Sequence, residues 1–339
     1  MEHLIGRKVE NDIINSFGIT IVPAETILNH EAIRLLNNHR IDVNSIILAT
    51  KESNKNNNDN VQLSNSFQQT VSKSKELFES ISIFRKVPLM EIRKEILPNI
   101  HDMTKHQDIF ELFEAIKAKD DYTYQHNIGV GILSTLIGTW MNLDESELSI
   151  LSLAATLHDV GKVHIPIEIL NKPGKLTDKE FNIVKKHTIL GYDLLKATTG
   201  LNTKVARVAL QHHEREDGRG YPLGLKKTNI ELFSSIVAVA DVFHAMSSKR
   251  PYHEPIPFHE IVSQMGHGRF GELNPQIVSL FLENMMKRTV GKQVVLTDGR
   301  LGKVVMLNPH RIETPLIKID DVFVDLSQEE GLRISSIVA

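Results

Sequence analysis

Seven imidazole and carboxylate side chains lie in five short segments between residues 126 and 241: His126, His158, Asp159, His187, His212, His213 and Asp241. A single histidine of this kind is more often a packed or surface residue than a metal ligand. His158-Asp159 weakens that interpretation, because the apolar run Leu151–Leu157 ends there in an imidazole and a carboxylate. Burying both groups is costly unless a partner such as a cation neutralises them. Asp241 closes a second apolar run, 237–240, in the same way.

The types of these side chains predict the kind of metal. Imidazole and carboxylate ligands without thiolate suit Fe, Mn, Zn or Co, and the chain contains no cysteine. Seven ligands exceed what one ion usually takes from a protein, so we predict two ions that share a bridging carboxylate. Two ions about 3.5–4 Å apart are a common arrangement for the hydrolysis of phosphate esters.

The neighbours of these residues add two expectations. Lys162 follows His158 by four residues, so a continuing helix would place both on one face, where a lysine suits an anionic substrate. Adjacent residues on a helix point about 100° apart. If His212 and His213 both bind metal, the helix that carries them must therefore end or distort there. His244 lies one helical turn beyond Asp241.

The elements that would position these residues are helical. The pattern is helical from about 106 to 288, with a capping-box signature at Thr177 and Glu180 and a last helix that opens at Asn274-Pro275. We therefore predict a mainly α fold with five segments. These are a small N-terminal α/β domain (1–50), a flexible Asn-rich linker (51–66), a helical connector (67–105), the helical domain with the candidate ligands (106–288) and a small C-terminal β-barrel (289–339).

The flanking segments leave alternatives open. The connector helices either form a homodimer contact or pack on the core. The charged barrel surface is either a solvated face or a surface for a signalling partner. The N-terminal α/β unit is predicted from a hairpin turn at Phe17-Gly18 and a helix cap at Asn29.

Composition excludes several classes of protein. The net charge is −3 and the pI about 6.6, so no basic excess favours a nucleic-acid polymer as partner. The absence of cysteine excludes disulfides and iron–sulfur clusters. The most apolar window, 128–141, is too short to span a bilayer, and the first residues lack the apolar core of a signal peptide. We predict a cytoplasmic protein without membrane association.

The motifs, taken together, resemble the HD-GYP group of the HD phosphohydrolase superfamily over residues 106–288. The matching segments are Asp121–His126, His158-Asp159-Val160-Gly161-Lys162, His187, His212-His213-Glu214-Arg215-Glu216-Asp217-Gly218-Arg219-Gly220-Tyr221-Pro222, Asp241–Met246 and Arg250-Pro251-Tyr252. The resemblance implies an all-helical core and hydrolysis of cyclic di-GMP, a bacterial second messenger. The terminal segments also resemble extensions of some Firmicute members.

The resemblance further implies roles for individual residues. One divalent ion would be held by His126, His158, Asp159 and Asp241, and the other by Asp159, His187, His212 and His213. Asp159 would bridge the two ions, of which Fe or Mn fits best. Lys162 would contact the scissile phosphate, Arg250 and Tyr252 would contact the ligand, and Gly220-Tyr221-Pro222 would shape the nearby loop.

Three positions depart from the family pattern. Tyr122 stands where some members carry a Glu that helps to hold a third metal, so we predict two metals. His244 stands where the family often has Asp. Three interpretations of His244 stay open: an extra metal ligand, a hydrogen-bond partner, or a sign of altered activity. His253 follows Arg250-Pro251-Tyr252, where the family often has a basic residue, so we expect weaker contacts to the ligand.

The functional hypothesis is hydrolysis to linear pGpG, and whether pGpG is cut again to GMP stays open. Two ions would lower the pKa of a bridging water, Asp159 would fix their spacing, and Lys162 would stabilise charge on the phosphoryl oxygens. Two alternatives stay open. One is a cyclic di-GMP sensor with little turnover; the other is a phosphodiesterase for a different cyclic dinucleotide such as cyclic GMP-AMP.

Overall fold

The computed structural model describes residues 4, 9, 13–14, 20–22, 26, 28, 30–39, 41, 46, 52–117, 122–248, 256–266, 268 and 272–338. The chain divides into two compact units, Met1–Gln62 and Leu63–Ala339. In the described part of the chain, none of the helices is both long and apolar enough to cross a lipid bilayer.

The first unit contains the predicted strands and helix. Strand β1 (Ile13–Ile14) pairs antiparallel with β2 (Thr20–Val22), and helix α1 spans His30–Asn38. Ile13, Val22 and Leu36 belong to one small buried apolar cluster. The predicted turn at Phe17-Gly18 and the predicted cap at Asn29 lie outside the described residues.

The second unit contains helices around one large apolar core and a C-terminal sheet; the first of its helices begins before the Leu63 boundary. The helices are α2 (Glu52–Phe84), α3 (Leu89–Glu91), α4 (Leu97–Thr104), α5 (Ile109–Ile116), α6 (Tyr122–Trp140), α7 (Glu145–Thr156), α8 (Ile167–Leu170), α9 (Asp178–Lys185), α10 (His187–Lys196), α11 (Thr203–Gln211), α12 (Leu232–Ser247), α13 (Phe258–Gly266) and α14 (Pro275–Lys287). A π-helical turn, Ile92–Ile96, joins α3 to α4, and 3-10 turns cover Val160–His164 and Lys227–Asn229.

Local sequence signals explain several helix ends. The capping box at Thr177 and Glu180 forms as predicted and starts α9. Asn274 caps α14, whose first residue is Pro275, and this start also agrees with the prediction. Helix α11 ends at Gln211, so His212 and His213 follow the helix end, as two ligands in sequence require.

The segment predicted as a flexible linker, 51–66, differs from expectation, because α2 begins at Glu52. Asn and Ser are only modest helix formers, but 51–66 contains neither glycine nor proline, so the helix is not interrupted. Leu63 and Phe67 are buried in the core, which stabilises the helix beyond its weak local propensity. The domain boundaries themselves stay a prediction.

The C-terminal segment is a five-stranded antiparallel sheet. Its strands are β3 (Gln293–Leu296), β4 (Leu301–Asn308), β5 (Arg311–Ile319), β6 (Val322–Asp325) and β7 (Ile334–Ile337). Their order across the sheet is β6-β5-β4-β3-β7. The predicted β3–β4 hairpin and the next two strands are present; β7, which pairs with β3, was not predicted. Closure of this sheet into a barrel stays a prediction.

Candidate metal centre

Five helices converge to bring the seven candidate ligands together. Helix α6 packs against α7 and α12, and α10 packs against α11. His126 lies on α6, and Asp241 lies on α12. His158 and Asp159 follow the end of α7, His187 opens α10, and His212-His213 follow α11. His126, His158, Asp159, His187, His212 and Asp241 are buried, which agrees with the apolar runs that precede several of them.

Asp159 lies at the middle of the group. Its Oδ1 is 3.2 Å from His187 Nε2 and 3.7 Å from His212 Nε2. Its Oδ2 is 3.3 Å from His158 Nε2 and 3.9 Å from His126 Nε2. Each oxygen of one carboxylate therefore faces a different pair of imidazoles, as a bridging ligand would.

Two sets of these atoms are close enough to hold a metal ion. One consists of Asp159, His187, His212 and His213, and the other of His126, His158 and Asp159; within each, the ligand atoms lie within 4.8 Å of one another. Asp241 adjoins both sets, since its Oδ1 is 3.0 Å from His126 Nε2 and its Oδ2 is 3.9 Å from His213 Nδ1. The structure thus brings together every residue predicted as a ligand.

The second nitrogen of three imidazoles contacts a backbone carbonyl. Nδ1 of His158 is 2.7 Å from Ala155 O, and Nδ1 of His187 is 2.6 Å from Val184 O. Nδ1 of His212 is 3.0 Å from Ala209 O. Because a carbonyl oxygen only accepts, these Nδ1 atoms must carry the proton, which leaves a lone pair on each Nε2. Each such Nε2 faces Asp159, where a cation would bind.

Two buried atoms support the fit to a metal. His158 Nε2 and Asp159 Oδ1 have no well-aligned hydrogen-bond partner among the described residues. A buried polar atom without a partner costs about 1–3 kcal/mol. A divalent cation between imidazole nitrogens and carboxylate oxygens would satisfy both atoms, and the donor set suits Fe, Mn, Zn or Co.

The protonation states of three imidazoles and two carboxylates also suit metal binding. Burial lowers the pKa of His126 and His213, and it lowers the pKa of His212 to about 4, so these imidazoles are neutral near pH 7. Burial alone would also lower the pKa of His158, but the adjacent Asp159 carboxylate raises it, so a metal ion would have to displace a proton there. Burial alone would raise the pKa of the two carboxyls, but Lys162 beside Asp159 and His126 beside Asp241 hold them well below the usual range. Neutral imidazole and ionised carboxylate are the forms that bind metals.

Lys162 occupies a different position from the one that a continuing helix would give it. Helix α7 ends at Thr156, and Lys162 lies in the 3-10 turn Val160–His164. Its Nζ donates a hydrogen bond of 2.5 Å to Asp159 Oδ2. The turn therefore brings the ammonium to the Asp159 carboxylate instead of placing it over His158.

The group is reached from the side of His213, Lys162 and Tyr221. The side chains of Lys162 and His213 are 23% and 20% exposed, whereas that of Asp159 is 2% exposed. The Tyr221 ring stacks on the His213 ring at 4.6 Å between centroids and 29° between planes. The exposed Phe181 meets Tyr221 edge-on, with Lys185 Nζ above both rings. An aromatic and cationic rim, formed by Tyr221, Phe181 and Lys185, thus borders the candidate ligands.

Glu214 is a positioning residue that was not predicted from the sequence. Its buried carboxylate accepts the backbone N–H of Leu223 at 2.7 Å and that of Leu225 at 2.8 Å. Gly220 lies against the same residue, since a Cβ there would be 2.4 Å from Glu214 Cα. Together they fold the Gly220-Tyr221-Pro222 loop back on the helix end, and the Tyr221–Pro222 peptide is cis. An acid directly after His212-His213 was the available signal.

The remaining predicted contacts are not part of the described structure. Arg250, Tyr252 and His253 lie outside the described residues. Tyr122 is the first residue of α6, and its side chain is not described. The roles predicted for these four residues stay predictions.

The family model described as "HD domain" matches residues 112–270, which contain all seven candidate ligands. Residues 112–270 therefore match the HD domain family. The matched residues include the pair His158-Asp159. The prediction made from the motifs is therefore confirmed.

Curated relatives of the HD-GYP domain are cyclic dinucleotide phosphodiesterases. A cyclic di-GMP phosphodiesterase of Pseudomonas aeruginosa is 36% identical over 215 residues, which are 63% of this chain and 52% of that protein. A 3'3'-cGAMP-specific phosphodiesterase of Vibrio cholerae is 34% identical over 208 residues, 61% of this chain and 37% of that protein. The chain spans about half the length of these relatives, or less.

A solved structure supports the fold over a longer range. An HDG"Y"P protein from Bdellovibrio bacteriovorus superposes with a TM-score of 0.54 at 16% identity, covering 84% of this chain and 97% of that one. At this identity the likeness shows the fold alone. The mainly helical architecture with an HD core is therefore confirmed.

Proposed function

We propose that this protein hydrolyses cyclic di-GMP to linear pGpG, with GMP as a further product, using two divalent metal ions. The observation that carries the proposal is the position of Asp159, whose two oxygens face two separate groups of imidazoles. When bound, the two ions would activate a water molecule and stabilise negative charge on the phosphate. Oxygen and nitrogen ligands favour Fe or Mn in this role.

The chain's own residues divide the remaining tasks. His126, His158, Asp159 and Asp241 would hold one ion, and Asp159, His187, His212 and His213 the other. Lys162, the charged group beside Asp159 on the open side, would bind the non-bridging oxygens of the scissile phosphate. Arg250 and Tyr252 are proposed to contact the nucleotide.

The aromatic rim supports a substrate that carries bases. Tyr221 is held against His213 by stacking, and Phe181 presents an exposed ring beside it. A purine base can stack on such rings, at about 1–3 kcal/mol per base. Lys185, above both rings, adds positive charge for a phosphate.

Cyclic GMP-AMP is the second candidate substrate. The Vibrio cholerae relative whose name specifies 3'3'-cGAMP shares 34% identity with this chain. Both substrates contain two phosphodiesters in one ring, so the metal centre would treat them alike. The contacts to the bases would distinguish them.

The test is a turnover assay on protein purified without oxygen and reloaded with Mn or Fe. Cyclic di-GMP, cyclic GMP-AMP, pGpG and GMP would be followed by chromatography, with metal content measured on the same sample. We expect product together with about two ions per chain. The double substitution His158→Ala and Asp159→Ala should abolish both, whereas substitution of His310, an exposed histidine in the turn between β4 and β5, by alanine should change neither.

The other outcomes of this assay separate the alternatives. Bound metal and bound cyclic di-GMP without product over hours would indicate a sensor and contradict the proposal. Faster cleavage of cyclic GMP-AMP would reassign the substrate. Full turnover in metal-free protein would refute the metal mechanism.

A further inference from the structure

We propose that a cleft between α13 and the C-terminal sheet is a second binding site of this protein, which takes a guanine mononucleotide. The inference goes beyond the proposed function, because none of the residues that line the cleft is a candidate metal ligand. The cavity has a volume of about 400 Å³, within the usual range for small-molecule sites. It is lined by His259, Ser263, Arg311, Glu313, Thr314 and Arg333.

Segments distant in the chain supply these residues. Helix α13 packs against β5 and β7. His259 and Ser263 are four residues apart on α13, so they lie on the same face of the helix. Arg311 and Glu313 lie on β5, and Arg333 directly precedes β7. The packing of the helix on the sheet therefore creates the cleft.

Two arginines give the cleft its positive charge. Arg333 Nη1 donates hydrogen bonds to the carbonyl oxygens of Leu332 at 2.7 Å and Glu329 at 3.1 Å, so the backbone fixes this guanidinium. Neither Arg333 nor Arg311 makes an ion pair with a carboxylate of the described residues. An arginine whose fork is available binds a phosphate or a base edge through two parallel hydrogen bonds.

The cleft also contains one carboxylate and one buried imidazole nitrogen. Glu313 is half-buried, and its carboxylate has no ion pair or hydrogen bond within the described part of the chain. His259 Nδ1 is buried and has no hydrogen-bond partner among the same residues. A polar atom buried without a partner is destabilising, so a ligand that pairs with it is favoured.

The combination of charges selects the class of ligand. Two arginines alone would suit any anion, including inorganic phosphate, but the carboxylate of Glu313 would repel such an ion. A ligand that suits both charges carries an anionic group and, at a distance from it, N–H groups for the carboxylate.

Guanine nucleotides meet this requirement. The base presents its N1–H and N2–H groups to a carboxylate and its O6 and N7 acceptors to an arginine. The phosphate can then pair with the second arginine. Adenine has no N–H group at positions 1 and 2, so a carboxylate there disfavours it. The cleft would thus bind GMP, and only its role as a site for reaction product rests on the proposed function.

The position of the cleft links a bound nucleotide to the helical core. Phe258, next to His259, packs against both the large core and the apolar cluster of the sheet. Helix α13 also packs against α12, which carries Asp241. A ligand held between α13 and the sheet would therefore stabilise the helix that joins the sheet to the core.

The first test titrates GMP into the full wild-type chain and follows the histidine imidazole signals by NMR. GMP should shift the signals of His259 and saturate this shift at one nucleotide per chain. The signals of His101, which contacts Ser152 on α7, should stay unchanged. Unchanged His259 signals at saturating GMP would overturn the inference, including the case in which GMP binds only at the metal centre.

The second test measures binding of GMP, AMP and inorganic phosphate by calorimetry. Arg311→Met and Glu313→Gln should each lower the affinity for GMP by about 10- to 100-fold, because each removes charge-assisted hydrogen bonds. Glu313→Gln should leave phosphate binding unchanged or make it tighter, because a negative charge is lost. Arg300→Met and Glu330→Gln, at exposed positions of the C-terminal segment, are the matched controls and should bind GMP as wild type does.

The outcomes separate this inference from the proposed function. Equal affinities for GMP and AMP, or for GMP and inorganic phosphate, would overturn the assignment of a guanine nucleotide. Unchanged GMP affinity in both cleft variants would overturn the site itself. None of these measurements depends on turnover, so the hydrolase proposal stands or fails by its own assay. Should a variant fail to fold, the His259 signals of the wild-type chain still decide.

Discussion

The side chains of the candidate metal centre contact one another over short distances, and most of them are buried. Asp159 is the clearest case, since one carboxylate meets four imidazoles and an ammonium within 4 Å. Such a concentration of polar groups is costly in a protein interior unless each is satisfied. Single substitutions should therefore separate metal binding, substrate binding and loop geometry.

Lys162→Met should reduce turnover while leaving metal content unchanged or higher. The ammonium is the cation beside Asp159, so its loss removes a stabilising charge from the phosphate but frees the carboxylate for metal. Removing one such group typically costs about 10²–10³ in rate. Steady-state rates and metal analysis of the same sample would check this. Lys172→Met, at a surface pair with Glu180, is the matched control, and equal losses in both variants would contradict the prediction.

Glu214→Gln should loosen the Gly220-Tyr221-Pro222 loop. The amide keeps one acceptor but places an NH2 against one of the two backbone N–H groups, at a cost of about 1–3 kcal/mol. Amide hydrogen exchange at Leu223 and Leu225 should accelerate. Glu260→Gln, exposed on α13, should leave both amides unchanged. Normal protection in Glu214→Gln would refute this role.

At the scale of elements, close backbone approach decides whether the ligands converge. The 3-10 turn after His158-Asp159 packs directly on the start of α10, where His187 lies. Gly161 allows this approach, because a Cβ there would be 1.9 Å from His187 O and 2.5 Å from Gly191 N. Backbone atoms cannot yield as a flexible side chain can.

Gly161→Ala should therefore destabilise the fold and weaken metal binding together. The added Cβ must push the turn away from α10, which separates Asp159 from His187. We expect a loss of several kcal/mol in the free energy of unfolding, as for other severe packing conflicts. Gly266→Ala is the control, since none of the described residues lies within 4 Å of its Cβ position and alanine favours the helix. Thermal unfolding and zinc titration of both would decide; normal zinc affinity in Gly161→Ala would contradict the prediction.

Asp108 couples the start of α5 to the C-terminal sheet. Its side chain accepts the N–H of Phe110 as the helix cap and pairs with Lys292. Burial alone would raise the pKa of this carboxyl, but Lys292 and the N–H of Phe110 hold it below the usual value. A carboxyl whose pKa is lower in the folded than in the unfolded state stabilises the fold at pH values above its unfolded pKa of about 3.9. This stabilisation is lost as the pH falls through the pKa of the folded state.

Asp108→Ala should lose about 1 kcal/mol at pH 7 from the missing cap, whereas Asp108→Asn retains the cap and loses only the ion pair. The difference between wild type and Asp108→Asn should shrink below pH 4. Urea unfolding at pH 7 and pH 3.5 would measure both effects. A difference that grows on acidification would contradict the assigned sign.

For the molecule as a whole, metal binding should be linked to folding. The candidate ligands come from five helices that are distant in sequence, so the unfolded chain cannot assemble them. A ligand that binds only the folded state stabilises it by about 2.7 kcal/mol at 100 times its Kd. The helical core and the sheet belong to one compact unit, 63–339.

Manganese or zinc should therefore raise the Tm of the wild-type chain, and a chelator should reverse the shift. The His158→Ala and Asp159→Ala double variant should show no metal-dependent shift, whereas His310→Ala should behave as wild type. A scanning calorimetry series over metal concentration would test this. An equal shift in the double variant would indicate metal bound elsewhere.

Sequence by itself determined the ligand types, their order and most helices and strands. It did so because helical and strand periodicity, caps and an acid or histidine after an apolar run are local patterns. The tertiary structure decided contacts that the local sequence does not predict. These are the contact between His126 and His244, the hydrogen bond from Lys162 to Asp159, the hydrogen bond from the Leu223 backbone to Glu214, and the pairing of β7 with β3. These depend on packing between helices and on strand partners remote in the chain, which no local pattern encodes.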